Sequence, residues 1–171
     1  MKEHFFFVDA ETDGLYGKFL SIAALVTYCQ GQNLSSFYGS IKIDPSDIKT
    51  EWVKENVFPY LENADLFFDD ETELLEAFWN FWLLHRESSE CVAYVPYPVE
   101  SRLFSTCVMN NVEKRQFLAP FPLYDLATLL ESKKIDFNSN MQQLSSLNLQ
   151  PHDAMDDVRM TAAVWLKLFR Q

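Results

Sequence analysis

Asp9 and Glu11 stand two residues apart at the end of the apolar run Phe5-Phe6-Phe7-Val8. On a strand, side chains alternate between faces, so both carboxylates share one face of it. Two like charges in apolar surroundings are costly unless a cation joins them, and a divalent metal ion is the natural solution. A polar hairpin turn beginning at Asp9 accounts for Asp9-Ala10-Glu11-Thr12-Asp13-Gly14 equally well. Near the other end of the chain, Pro151-His152-Asp153-Ala154-Met155-Asp156-Asp157 opens a helix. His152 falls at or just before its first position and Asp157 one turn in. Taken alone, such acids complement the helix dipole, and such a histidine is ordinarily a surface residue.

The elements that must position these groups follow from periodicity. Residues 4–10 read as a strand buried on both faces, 19–28 as a second strand and 34–43 as a third, joined by the turns at Thr12-Asp13-Gly14 and Gln30-Gly31-Gln32-Asn33. Helical patterns cover 51–61 and 71–86. A fourth strand is expected at 91–95, a helix from Pro98 to about residue 111, a fifth strand at 122–125, short helices at 125–130 and 141–147, and an amphipathic helix over 153–169. No repeat or flexible linker interrupts the chain, so residues 1–171 are expected to form one α/β domain. Its sheet should be an antiparallel meander followed by further strands, with helices packed on it.

The composition narrows the function. The chain has 171 residues, 48% of them hydrophobic, with 14 Lys and Arg against 25 Asp and Glu, a formal net charge of -11. A broad basic nucleic-acid surface is excluded. Residues 44–90 hold 13 acids and three bases, and the rest of the chain 12 acids and 11 bases, so this helical insert is expected to lie away from the Asp9 and His152 motifs. The four glycines form neither a dinucleotide nor a P-loop spacing. Cys29, Cys91 and Cys107 have no zinc spacing with His4, His85 or His152, which fits reduced thiols in a cytoplasmic protein. The apolar patch at 5–8 is too short for a signal or a membrane span, so no membrane partner is expected.

Together the motifs resemble the DEDDh (DnaQ-like) family of 3'-5' exonucleases. That family opens with Asp-x-Glu-Thr-x-Gly on a strand, matched by Asp9, Glu11, Thr12 and Gly14, and closes with His-x-Ala-x-x-Asp, matched by His152, Ala154 and Asp157. Its middle aspartate falls where this chain has Glu100, in Tyr94-Val95-Pro96-Tyr97-Pro98-Val99-Glu100; Leu123-Tyr124-Asp125-Leu126 is similar to the family's later strand-to-helix junction. Three departures stand out. Glu100 is longer than Asp by one C–C bond, about 1.5 Å. Val95-Pro96 replaces a frequent His-Asn, and Ser21 stands where relatives often carry an acid.

The resemblance implies a ribonuclease H-like fold with a mixed five-stranded sheet and hydrolysis of single-stranded or short DNA or RNA from its 3' end. Asp9, Glu11, Glu100 and Asp157 would hold two ions, and their oxygen donors suit Mg²⁺ or Mn²⁺. His152 would act as the general base. Two such ions would bring the charge outside residues 44–90 from -1 to about +3. Thr12, Gly14 and Leu15 would seat the terminal nucleotide, with Tyr16 and Phe19 available to stack on bases. Lys18, Arg102, Lys114, Arg115, Lys133 and Lys134 are the cations available to phosphates. Small relatives of this kind often form homodimers. Two other readings stand beside this one: a catalytically silent domain that binds nucleic-acid ends or a protein partner, and an acidic interaction module centred on residues 44–90.

Overall fold

The computed structural model describes residues 2–169. The first three strands, β1 (His4–Thr12), β2 (Phe19–Tyr28) and β3 (Asn33–Ile41), form the expected antiparallel meander. A short helix α1 (Glu51–Asn56), a 3-10 segment (Phe58–Asn63), strand β4 (Leu66–Phe68) and the long helix α2 (Glu71–His85) follow. The chain then runs through β5 (Ser89–Ala93), α3 (Val99–Met109), α4 (Val112–Arg115), β6 (Leu123–Asp125), α5 (Leu126–Ser132), α6 (Met141–Ser145) and α7 (Ala154–Phe169). The sheet order is β4-β3-β2-β1-β5-β6, with β5 parallel to β1, β6 parallel to β5 and β4 parallel to β3.

The sheet therefore has six strands where five were expected. The addition, β4, is three residues long and its Leu66 and Phe67 are exposed, so it carries too little alternation to stand out between two helices. The single helix expected over 51–61 is split. Pro59 has no N–H and its ring clashes with the preceding turn, so α1 stops at Asn56 and the chain continues as a 3-10 segment.

The alternation of β1 divides the core. Phe6, Val8 and Ala10 pack with Leu74, Phe78 and Trp79 of α2 and Leu103 and Phe104 of α3 on one face of the sheet. Phe5 and Phe7 point to the other face, where Val158 and Trp165 of α7 and Leu126 and Leu130 of α5 cover them. By the same parity Asp9 and Glu11 extend the second face, toward α7. The pairing of β1 with β2 shifts register between Glu11 and Thr12, an irregularity of the kind that re-aims side chains at a strand end.

No described helix is long and apolar enough to cross a membrane.

Candidate active site

Beyond the C-terminal ends of β1 and β5 lies a cleft of about 710 Å³ lined by Asp9, Glu11, Leu15, Glu100, His152 and Asp157. Clefts at the carboxyl ends of parallel strands are the usual ligand positions of α/β sheets. Three regions distant in sequence supply these groups: β1 with the turn after it, the first turn of α3, and the start of α7 with the short loop before it.

Each acid is held differently. Glu100 is 5% exposed, and its Oε1 accepts a hydrogen bond from the Ala10 N–H at 3.3 Å, so the side chain of α3 clasps the end of β1. Asp157 accepts from the His152 N–H at 2.8 Å, which ties the imidazole-bearing loop to the helix it precedes. His152 has φ +67, a left-handed conformation uncommon for a side-chain-bearing residue, and such strain is characteristic of functional positions. The neighbouring Asp153 is buried but structural. Its Oδ1 accepts from the Met155 and Asp156 N–H groups at the start of α7, and its Oδ2 accepts from Asn63 Nδ2 at 2.7 Å.

The electrostatics of the cluster are unfavourable as it stands. Burial raises Asp9 well above the usual carboxylate range, and the charges of Asp157, Glu100, Glu11 and Asp153 raise it further. Glu11 is pushed up to about 8 by burial and then by Asp157, Glu100 and Asp153. Burial lifts Glu100 and Asp157 to about 7 each, against hydrogen bonds from Ala10 and His152 that favour the ionised forms. Burial lowers the His152 pKa, favouring neutral imidazole. Among the described residues none of these four acids forms an ion pair. Partly desolvated, mutually repelling carboxylates without a cation have the donor chemistry of a site for a hard divalent ion. Ligand atoms of Glu11, His152 and Asp157 all lie within 4.8 Å of one another. Asp9 and Glu100 line the same cleft outside that compact group.

The remaining expectations divide. Leu15 is 61% exposed and lines the cleft, but Thr12 and Gly14 do not. The Thr12 hydroxyl donates to the Gly14 carbonyl at 2.7 Å and Gly14 takes φ +73, so both shape the turn that presents Leu15. Phe19 is fully buried and cannot stack on a base. Arg102 lies 4.1 Å above its ring and donates from Nη2 to the Gly17 carbonyl, bracing the same turn instead of meeting phosphate. Arg115 is engaged by Glu76 of α2 and does not line the cleft. Lys18, Lys114, Lys133 and Lys134 are exposed outside the cleft lining.

The acidic insert is not remote from the motifs. Trp52 of α1 packs edge-to-face on His152, ring centroids 4.8 Å apart. Lys49 and Thr50, just before α1, donate their N–H groups to the Asp13 carboxylate at 2.8 and 2.9 Å. Pairing residues a hundred positions apart leaves no periodic signal, so Trp52 could be read only as part of the acidic segment's surface and not as a neighbour of His152. An edge-to-face pair contributes about 0.5–1.5 kcal/mol, and rate follows position at about 1.4 kcal/mol per tenfold. If His152 takes part in turnover, Trp52→Ala should lower kcat about three- to tenfold with KM little changed, and Trp52→Phe should recover most of it. Steady-state kinetics of the two variants check this; a change confined to KM would assign Trp52 to substrate contact.

No protein-family model and no curated protein matches the sequence. Solved structures do match in shape. The zinc-bound complex of E. coli exonuclease I with single-stranded DNA superimposes with a TM-score of 0.72 at 16% identity, covering 100% of this chain and 41% of that one. The same E. coli enzyme with a dA16 oligonucleotide gives 0.67 at 15%, covering 99% and 42%. Exonuclease I from Methylocaldum szegediense gives 0.65 at 15%, covering 98% and 40%. The chain thus spans about two fifths of the length of these enzymes. Across nearly all its residues, with an antiparallel meander continued by parallel strands and flanked by helices, it has the ribonuclease H-like fold of these exonucleases.

Proposed function

We propose that this chain is a metal-dependent 3'-5' exonuclease that hydrolyses single-stranded or short DNA or RNA and releases nucleoside 5'-monophosphates. The observation that carries the reading is the convergence of Asp9, Glu11, Glu100 and Asp157 with His152 in one cleft, one buried and three half-buried acids without a cationic partner among the described residues. The shared fold of exonuclease I, solved in complex with single-stranded DNA, supports the substrate class.

Asp9, Glu11, Glu100 and Asp157 would hold two Mg²⁺ or Mn²⁺ ions. When bound, such ions lower the pKa of water and stabilise negative charge on phosphate and leaving oxygens. His152, kept neutral by its lowered pKa, accepts the proton of the attacking water as its oxygen bonds to phosphorus. The bond from phosphorus to the 3'-oxygen breaks, that oxygen is protonated, and the terminal nucleotide leaves carrying the 5'-phosphate. Leu15, projecting from the turn after β1 into the cleft, supports the end nucleotide against the reacting groups. His152 is bonded through its own N–H to Asp157, so placement of the base and of one ligand is a single geometric event.

The test uses single strands of DNA and RNA labelled at the 3' or the 5' end, incubated with the purified chain in Mg²⁺, in Mn²⁺ and in EDTA. Stepwise shortening from the 3' end with either metal and none in EDTA is expected. Retention of intact strands in every metal, with binding of their ends, would overturn catalysis and assign a silent end-binding domain.

A further inference from the structure

We infer that Tyr16 and Tyr97 form a stacking rim that grips the unpaired strand beside its end through base faces, with few phosphate ion pairs, which makes substrate binding nearly insensitive to salt. The inference rests on the exonuclease reading for the identity of the ligand.

Two separate loops build the rim. Tyr16 follows Leu15 on the turn between β1 and β2, and Tyr97 sits on the loop between β5 and α3, yet their phenol oxygens lie 3.5 Å apart. Tyr16 is 68% and Tyr97 72% exposed, a state in which large aromatic rings forfeit the burial that usually stabilises them. Leu15 and Val95 add exposed apolar surface beside them. This surface is continuous with the acidic cleft, because Leu15, Val95 and Tyr97 line it together with Asp9 and Glu11. A strand whose terminal phosphate lies against those acids would pass its neighbouring bases over Tyr97 in the cleft wall, with Tyr16 in contact beside it. Every base has a π-face, so aromatic platforms hold single strands without reading sequence, whereas paired bases offer only their edges.

The cleft offers little to hold the strand otherwise. Among its described lining residues there is neither lysine nor arginine. Arg102, close in sequence to Glu100, is occupied by the Gly17 carbonyl and the Phe19 ring. The side-chain amides of the 138–142 segment, which also lines the cleft, are each partly engaged within that region. Asn140 accepts from the Gln142 N–H, Gln142 donates to the Leu149 carbonyl, and Asn138 donates to Asp136. Tyr94 and Phe137 also line the cleft but are half-buried, so Tyr97, with Tyr16 beside it, offers the exposed aromatic faces to a base.

The test combines binding and turnover. Five-nucleotide DNA and RNA strands with phosphorothioate linkages, labelled at the 5' end, are titrated with the protein in Mg²⁺ by fluorescence anisotropy, and unmodified strands are followed kinetically. Tyr97→Ala and Tyr16→Ala should each raise Kd and KM about fivefold or more, with Phe at either position within about twofold of wild type. Raising NaCl from about 50 to about 300 mM should weaken binding less than about threefold, whereas two released phosphate counterions would weaken it about tenfold. Unchanged Kd in both alanine variants, a tenfold salt effect, or no binding at all would each overturn the rim. Tyrosine-dependent binding without any shortening would leave the rim standing and remove the exonuclease reading. Shortening that ignores both tyrosines would do the reverse.

Discussion

Asp9→Asn should abolish metal-dependent shortening, by about a thousandfold or more, while making the metal-free protein more stable. The two effects share one cause. Asp9 is held among Asp157, Glu100, Glu11 and Asp153, and both burial and these neighbours oppose its ionisation. An asparagine of the same shape keeps the volume and removes the charge, which relieves a destabilising contact worth on the order of 1–3 kcal/mol. At this chain size that is a rise in Tm of roughly 2–4 °C per kcal/mol. The same substitution removes an anionic donor from the site, and electrostatic stabilisation of a phosphoryl transition state is worth several kcal/mol. His152→Ala should behave differently. It should cost about 10²–10⁴ in rate, as loss of a general base does, without the gain in metal-free stability. Kinetics and thermal melts of both variants in EDTA and in Mn²⁺ check the pair. Loss of activity with an equal or lower metal-free Tm in Asp9→Asn would show that Asp9 is structurally supportive and that the acids do not repel as described.

A second large effect is expected in the pH dependence of the metal-free protein. Glu11 at about 8, Glu100 and Asp157 at about 7, and Asp9 well above its usual range all bind protons more tightly folded than unfolded. For such raised acids, ∂ΔG/∂pH of unfolding is negative. Their favourable contribution is fully present below the unfolded values near 4 and is lost progressively as pH rises through about 8. Metal-free protein should therefore melt lower at pH 8 than at pH 5.5, and Mg²⁺ or Mn²⁺ should recover most of the difference at pH 8 while adding little at pH 5.5. At a hundredfold excess over Kd, one bound ion contributes about 2.7 kcal/mol. Melting curves at four pH values, with EDTA or with either ion, measure this. A Tm in EDTA that is flat or rises between pH 5.5 and 8 would refute the cluster's electrostatics.

Much of the architecture was legible because it rests on local rules. The meander of β1, β2 and β3, the helix α2, and the amphipathic α7 follow from apolar alternation, turn residues and helical stripes, and each lies within a few residues of its expected bounds. The elements that escaped are those whose cause is not local. Strand β4 exists because β3 offers an edge to pair with, not because Leu66-Phe67-Phe68 alternates. Phe19 and Tyr16 are both aromatic and close in sequence, but only tertiary packing buries one and exposes the other. Arg102 has the charge to meet a phosphate and spends it on a carbonyl.

The site divides along the same line. Residue types and spacing alone determined that His152 precedes Asp157 at a helix start and that Glu100 falls in the first turn of a helix after a strand, because these relations lie within single elements. That Asp9 and Glu11 share a strand face, and do not open a turn, was decided by the extension of β1 to Thr12. Only the tertiary structure decided that these groups meet. Asp9 and Glu11 gain their raised affinities for protons from desolvation first and then from Asp157 and Glu100, on the helices α7 and α3 that the sheet brings to the end of β1. The tertiary structure also decided that the acidic insert touches His152 through Trp52, and that Tyr97 of the cleft lining meets Tyr16. Strand and helix patterns repeat over a few residues and can be read along a chain. Desolvation, charge repulsion and ring contacts depend on distances across it, and those are set only when the whole sheet has been assembled.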